Sequence, residues 1–438
     1  MPFNFVVSNK IRTFATKSKY MEKELFRTII AESQEYIDRI HLVQRPLDLE
    51  VYGNYVFVGV RQAGKSYLLY QRIQQLLANG VNIEDIVYVN FDDERLQGMS
   101  VTDFDFILQA YHSMYESQPI FFFDEIQNVE GWANFARRLA NQKYRIYITG
   151  SNAKMLSRDI ETVLGGRYLD ISVFPYSFSE YLKAVGVLLS KNWQYGRKAN
   201  ELQRHFRTYF DWGGFPELVH FQEKRVWLNS LYNRIFFNDL VVRHKIKNED
   251  ALRLCVRRLA ESVKQPCSLN RLSNLIKATG TPCSPSTVMG YVRYLQESCL
   301  LISIGNYVSK FVEKETIKKH YFVDNGLLHL FINNPNTSLL ENLCAITLYK
   351  KFGKGLYYYN RNIEVDFYVP DEGLAVQASY QMSDGETIER EVKALVALHG
   401  LHSLKRAMII TYEDEGEIVR DGLRIEIRPA WKWVLEGL

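Results

Sequence analysis

The residues of this sequence equipped for chemistry begin with Gly59-Val60-Arg61-Gln62-Ala63-Gly64-Lys65-Ser66, which follows the apolar run Tyr55-Val-Phe-Val58 without a gap. This is a complete phosphate-loop pattern between a strand and a helix. The two glycines let the backbone curl so that successive N–H groups, from Gly59 through Tyr67, face phosphate oxygens, and the helix opening near Lys65 adds the positive end of its dipole. Lys65 then reaches the β- and γ-phosphates as a point charge, and the Ser66 hydroxyl ligates magnesium.

A second acidic motif supplies what such a loop needs. Ile120-Phe-Phe-Phe-Asp124-Glu125 reads as a buried strand that delivers two carboxylates at its C-terminal edge. Asp124 is the candidate magnesium residue, acting largely through water, and Glu125 the candidate base that orients and deprotonates the attacking water. The next strand, Arg145-Ile-Tyr-Ile-Thr149, runs into Gly150-Ser151-Asn152. Ser151 or Asn152, ahead of Thr149, is the candidate for contacting the γ-phosphate or the lytic water. Arg167, freed by Gly165 and Gly166, is the candidate arginine for a γ-phosphate in its own or a neighbouring subunit.

The elements around these residues alternate. Leu25, Ile29, Ile30, Tyr36, Ile37 and Ile40 recur at helical spacing, predicting a helix over 22–42 that Pro46 ends. A second helix is expected from Tyr67 to Asn79, a strand from Ile86 to Phe91 and a helix from Trp132 to Asn141. Strands separated by helices predict a parallel sheet, hence an α/β fold.

At 438 residues the chain exceeds one ordinary core. With 47% hydrophobic and 24% charged residues it belongs with globular proteins rather than disordered ones. Its net charge of +4 selects no partner class. Five cysteines, none in a C-x-x-C pair, suggest neither zinc nor a disulfide framework and fit a reducing cytoplasm. No apolar run is long enough for a transmembrane helix, so no membrane partner is expected. Lys10, Arg12, Lys17 and Lys19, with no acid before Glu22, are read as a basic N-terminal arm.

The set Gly59–Ser66, Phe-Phe-Phe-Asp-Glu-Ile-Gln127, Thr-Gly-Ser-Asn152, Gly-Gly-Arg167 and Phe-Pro-Tyr-Ser-Phe-Ser-Glu180 resembles a prokaryotic branch of the AAA-type (AAA+) ATPases. Trp212-Gly-Gly-Phe-Pro-Glu217, Asn238-Asp239-Leu and Tyr321-Phe-Val-Asp324-Asn-Gly-Leu extend the resemblance over most of the chain. It implies ATP as the nucleotide, since the loop itself reads phosphates and not the base. It also implies a winged-helix segment and a C-terminal domain resembling the restriction-endonuclease fold. The expected plan is an N-terminal arm and helix (1–45), a P-loop ATPase core (46–175), a helical lid (176–248), a winged helix (249–325) and the nuclease-like domain (326–438).

In the winged-helix region helices are expected over Leu252–Val263, Ser268–Ala278 and Ser286–Cys299, with N-caps at Ser268 and Ser284 and Pro285 in a first helical turn. Ala251–His320 holds eleven Lys and Arg against four Asp and Glu, an excess that favours nucleic acid. Yet the expected recognition helix offers only Arg293, Tyr294 and Gln296, so DNA is a candidate partner through backbone contacts, and a pure packing role stands beside it.

In the C-terminal domain, active members of the restriction-endonuclease fold place an acid on the first helix, an aspartate on one strand and acid-x-lysine on its neighbour. Glu341 and Asp366 match the first two, whereas Gln377 and Ser379 stand where the second acid and the lysine belong. A glutamine and a hydroxyl cannot supply metal-assisted phosphodiester cleavage, and Arg361, Arg390 or Lys393 would have to substitute, so an inactive binding or assembly domain is expected. The whole reads as a magnesium-dependent ATPase in a homo-oligomer, coupled to conformational or assembly change. The rivals are a nucleotide-switched scaffold with slow turnover and an ATP-regulated DNA nuclease.

Overall fold

The computed structural model describes residues 23–37, 39–151, 164–382 and 385–437. The basic N-terminal arm and Asn152 lie outside these. Two units divide the chain, one of Met1–Gly59 with Gly64–Val173, the other of Val60–Ala63 with Phe174–Leu438.

The first unit begins with helix α1 over residues 23–37, shorter than its periodicity predicts because the chain leaves the helix well before Pro46. Phe26, Ile29, Ile30 and Ile37 form its buried face, and the Gln34 amide donates to the Ile86 carbonyl at 3.0 Å. There follow β1 (Tyr55–Gly59), α2 (Lys65–Ala78), β2 (Ile86–Asn90), α3 (Phe104–Tyr111), β3 (Ile120–Asp124), α4 (Trp132–Asn141), β4 (Arg145–Gly150) and β5 (Leu169–Val173). The strands form one parallel sheet in the order β2-β3-β4-β1-β5. Val56–Val58, Phe121–Phe123 and Ile146–Ile148 are fully buried, as expected of a sheet covered on both faces. All five strands therefore end on one edge, and β1, β3 and β4 are adjacent there. That is where an α/β sheet gathers its functional side chains.

The second unit carries α5 (Phe178–Ala184), α6 (Gly196–Trp212) and α7 (Lys224–Arg234), the last running into a π-helical stretch, Ile235–Val242. Next come α8 (Glu249–Glu261), β6 (Cys267–Ser268), α9 (Leu269–Lys277), α10 (Pro285–Glu297), β7 (Leu301–Gly305), α11 (Phe311–Thr316) and β8 (Ile317–Phe322). The side chains of Ser268 and Ser284 accept from the N–H groups of Arg271 and Thr287, capping α9 and α10. The three short strands pair antiparallel in the order β6-β8-β7.

The remainder is α12 (Asn325–His329), α13 (Asn336–Phe352), β9 (Tyr357–Asn360), β10 (Glu364–Val369), β11 (Leu374–Ala378), α14 (Gly385–His402), β12 (Arg406–Thr411), β13 (Gly416–Arg420), β14 (Leu423–Pro429) and α15 (Ala430–Glu436). Its mixed sheet runs β13-β14-β12-β11-β10-β9. The sequence pattern does not predict the hairpin β13-β14 or helix α15, because β13 is largely exposed and lacks a strong apolar alternation.

Two sequence markers meet inside this unit. The Asp324 carboxylate accepts from the Gly214 N–H at 2.8 Å and from the Gly326 N–H at 2.8 Å, and the Asn325 amide donates to the Phe210 carbonyl at 3.0 Å. Gly213 has φ 78°, and a Cβ there would fall 1.9 Å from an Asp324 oxygen, so glycine is obligatory. The Trp212-Gly-Gly-Phe-Pro216 and Asp324-Asn-Gly326 runs are thus halves of one clasp.

Candidate nucleotide site and a second ionic cluster

The phosphate loop leaves β1 at Gly59 and enters α2 at Lys65. Gln62 and Gly64 both adopt left-handed backbone, with φ of 62° and 92°, which turns neighbouring amides to one side. Gly59 is required for a different reason than curling the loop. A Cβ on it would lie 1.9 Å from the Val173 carbonyl oxygen, so β1 and β5 could not pair at this point. Within the second unit the Arg61 guanidinium holds Asp239 by two hydrogen bonds of 3.0 and 3.1 Å, and the Gln62 amide donates to Glu217 at 3.3 Å. These side chains are therefore engaged, leaving the backbone as the loop's phosphate-binding surface. Tyr67, half exposed, packs its ring edge-on against Tyr70.

Lys65 is buried, its ammonium 3.2 Å from the Gly59 carbonyl and 3.4 Å from Glu125. Asp124, at the end of β3, is fully buried and accepts from Ser66, from Thr149 and, at 2.7 Å, from Tyr88. Burial, followed by the Glu125 charge, raises its carboxyl above the ordinary aspartate value, while these three hydroxyl bonds pull it down. Glu125 has φ 53°, a strained conformation for a residue with a side chain, and it turns the carboxylate back toward Lys65 and into a short bond from the Gln127 amide. The Gln127 side-chain oxygen is buried and has no partner among the described residues.

Thr149, ranked behind Ser151 and Asn152 in the sequence, stands near the end of β4. Its hydroxyl donates to Asp124 and accepts from the Glu125 N–H at 2.9 Å, so it spans both carboxylate residues. Ser151 is buried and, among the described residues, accepts from the Gln127 amide at 3.4 Å. Thr149 lies inside β4, paired with Phe57 of β1, whereas Ser151 lies past the end of the strand.

Arg167 stands far from this edge. Leu169 pairs with Tyr55 and Val173 with Gly59, so Arg167, two residues before β5, lies toward the opposite end of β1 from the loop. Its guanidinium donates to the Leu164 and Gly165 carbonyls at 3.4 and 3.3 Å. Its carbonyl accepts from the Asn54 side-chain amide at 3.4 Å, beside the start of β1 rather than the loop.

The site as built unites the Lys65 ammonium, the hydroxyls of Ser66, Thr149 and Tyr88, and the two carboxylates. The Ser66 hydroxyl and the Asp124 carboxylate are hard oxygen donors already within hydrogen-bonding distance, a set that fits magnesium. Among the described residues no group of three His, Cys, Asp or Glu is placed to hold a metal elsewhere, and no helix is long and apolar enough to cross a membrane.

The sequence missed Tyr88 and Tyr70, because a tyrosine inside an apolar strand or helix face reads as core. It also missed a second cluster. Lys319, on β8 and fully buried, sits 3.0 Å from Asp366, 3.2 Å from Glu341 and 3.5 Å from Glu364. Tyr321 donates to the same Glu341 at 2.8 Å. The ammonium beside these carboxylates is thus that of Lys319 on β8. Gln377 is occupied with backbone, accepting from the Asp366 N–H at 2.8 Å and donating to the Glu364 carbonyl at 3.0 Å. Burial, then the Asp366 charge, raises Glu341 to about 7 against the pull of Lys319. Burial acts to lower Lys319, but its carboxylates outweigh it and hold the ammonium charged. The alternation Ile317, Lys319, Tyr321 on one face of β8 is the sequence signal that could have found it.

The α9–α10 region offers little for reading bases. Arg293 is exposed, whereas Tyr294 stacks on His244 with centroids 3.8 Å apart and the Gln296 amide donates to Ser303 at 2.8 Å.

The parallel sheet and phosphate loop make residues 52–182 a P-loop domain of the AAA type, and a family model described as an AAA domain matches these residues. A second model, described only as a domain of unknown function, matches residues 203–338. The chain belongs to the family of the uncharacterized protein MJ1544 of Methanocaldococcus jannaschii, with 31% identity over 97% of this chain and 98% of that protein. An uncharacterized protein of Haemophilus influenzae is 30% identical over 87% of this chain and 94% of its own length. The Walker-type ATPase paby2304 of Pyrococcus abyssi aligns structurally at 12% identity with a TM-score of 0.41, over 64% of this chain and 91% of that one, a likeness too slight to establish a shared function.

Proposed function

We propose that the chain is a magnesium-dependent ATPase whose turnover drives a conformational or assembly change. The observation that carries this reading is the convergence of Lys65, Ser66, Asp124, Glu125 and Thr149 at the C-terminal ends of adjacent strands β1, β3 and β4. Lys65 and the loop amides take the triphosphate. Ser66 and Asp124 hold magnesium, which when bound neutralises charge on the phosphate oxygens. Glu125, kept pointing into the site by Gln127, orients a water and accepts its proton. Thr149 sets the spacing between the two acids.

Arg167, at the far end of β5, is assigned to a neighbouring subunit's γ-phosphate, which makes the active form a homo-oligomer. The helices α8–α10 with β6–β8 are read as a winged helix, whose net positive charge suits backbone contact with DNA. Gln377, tied to backbone where a second acid would stand beside Glu341 and Asp366, favours an inert C-terminal assembly domain over a nuclease. Calorimetry with magnesium-ATP, followed by phosphate release and light scattering in ATP and ADP, tests the whole. Absence of magnesium-ATP uptake by folded protein overturns it.

A further inference from the structure

The Asp124 carboxylate is fixed from a direction that the phosphate loop does not supply. Tyr88, in the middle of β2, donates its hydroxyl to Asp124 Oδ2 at 2.7 Å. Tyr70, on the helix that begins with Lys65 and Ser66, donates to the Tyr88 hydroxyl at 3.0 Å, and the two rings lie 4.9 Å apart. Tyr70 is in turn flanked edge-on by Tyr67 and Tyr36, at 5.9 and 6.2 Å. A line of hydroxyls therefore runs from α2 through β2 to the end of β3, with every donor directed toward Asp124.

The consequence is geometric. Thr149 donates to Oδ1 and Tyr88 to Oδ2, so rotation of the carboxylate about its own axis is stopped from both sides. Ser66, the candidate magnesium hydroxyl, is bonded to the same carboxylate. A hydroxyl that itself accepts a hydrogen bond is a stronger donor, so Tyr70 reinforces the grip of Tyr88. The same chain fastens the helix carrying Lys65 and Ser66 to the strand carrying Asp124.

We propose that Tyr88, reinforced by Tyr70, is a positioning residue that orients Asp124 for the magnesium ion of a bound nucleoside triphosphate. This rests on the ATPase reading. Outer partners of metal-binding groups commonly change metal affinity by about tenfold or more when removed. Tyr88→Phe deletes the donating hydroxyl and keeps the ring, and Tyr70→Phe removes only the reinforcement.

The test measures ATP affinity by calorimetry twice for each protein, once with EDTA and once with saturating magnesium, and titrates manganese by electron paramagnetic resonance in the presence of ATP. In the wild type, magnesium should tighten ATP binding. In Tyr88→Phe the EDTA affinity should be unchanged, the gain from magnesium should shrink by about tenfold, and manganese should bind correspondingly more weakly. Tyr70→Phe should lie between and supplies the answer if Tyr88→Phe does not fold. A merely structural role would lower both affinities together, and that result overturns the proposal. So does a Tyr88→Phe protein with the full magnesium gain. If the wild type binds ATP without any gain from magnesium, the magnesium reading itself fails and takes this one with it.

Discussion

The Lys65 ammonium lies 3.4 Å from the Glu125 carboxylate and 3.2 Å from the Gly59 carbonyl, so the loop's cation and the candidate base are partners across the ends of β1 and β3. A γ-phosphate would compete with Glu125 for this lysine, and its arrival frees the carboxylate to face water. Lys65→Ala should abolish triphosphate binding in calorimetry. Glu125→Gln should retain binding and slow phosphate release by about 10²–10⁴-fold, the range of a lost general base. Normal turnover in Glu125→Gln would remove Glu125 from the mechanism.

Thr149 should matter more than Ser151. Thr149→Val keeps the shape of the side chain but leaves both an Asp124 oxygen and the Glu125 N–H without their partner. Turnover should fall with nucleotide affinity nearly kept, stability should drop by about 1–3 kcal/mol in urea unfolding, and Thr149→Ser should recover both. Ser151→Ala, whose only described contact is the 3.4 Å one from Gln127, should be mild by comparison.

Lys319 is a buried charge shared by three carboxylates, and breaking such a group from one side is costly. Lys319→Met should destabilise the second unit by about 3–5 kcal/mol in urea unfolding. Adding Glu341→Gln and Asp366→Asn to it should restore much of the loss, because the repelling charges go as well. Nicking of DNA by the wild type with magnesium or manganese, lost in Asp366→Ala, would instead assign the cluster to catalysis.

Asp324 should give the second unit a pH dependence. Burial raises its carboxyl to about 6, although N–H groups of Gly214, Gly326 and Leu327 pull the other way. Because the folded value exceeds the unfolded one, its contribution to stability is fully present below about pH 4 and is lost as pH rises through 6, about 3 kcal/mol in all. Asp324→Asn should be less stable than the wild type at pH 4 and should show a flatter profile between pH 4 and 6.

Much of this protein was written locally. The strand-loop-helix around Lys65, the apolar strand ending in Asp124 and Glu125, and the serine caps of α9 and α10 depend on neighbours in sequence, and each stands where its pattern placed it. What needed the folded chain was every relation between side chains from separate elements. Thr149 meets Asp124 and Glu125 because β4 lies beside β3. Arg167 stands beside the start of β1 rather than the loop because β5 runs parallel to β1. Tyr88 and Lys319 escaped notice because a tyrosine in an apolar strand and a lysine in a mixed strand look ordinary until Asp124 or Glu341 is brought to them. Spacing along the chain sets residue types and local geometry, whereas strand order and register decide which buried polar groups meet, and burial makes those meetings strong enough to matter.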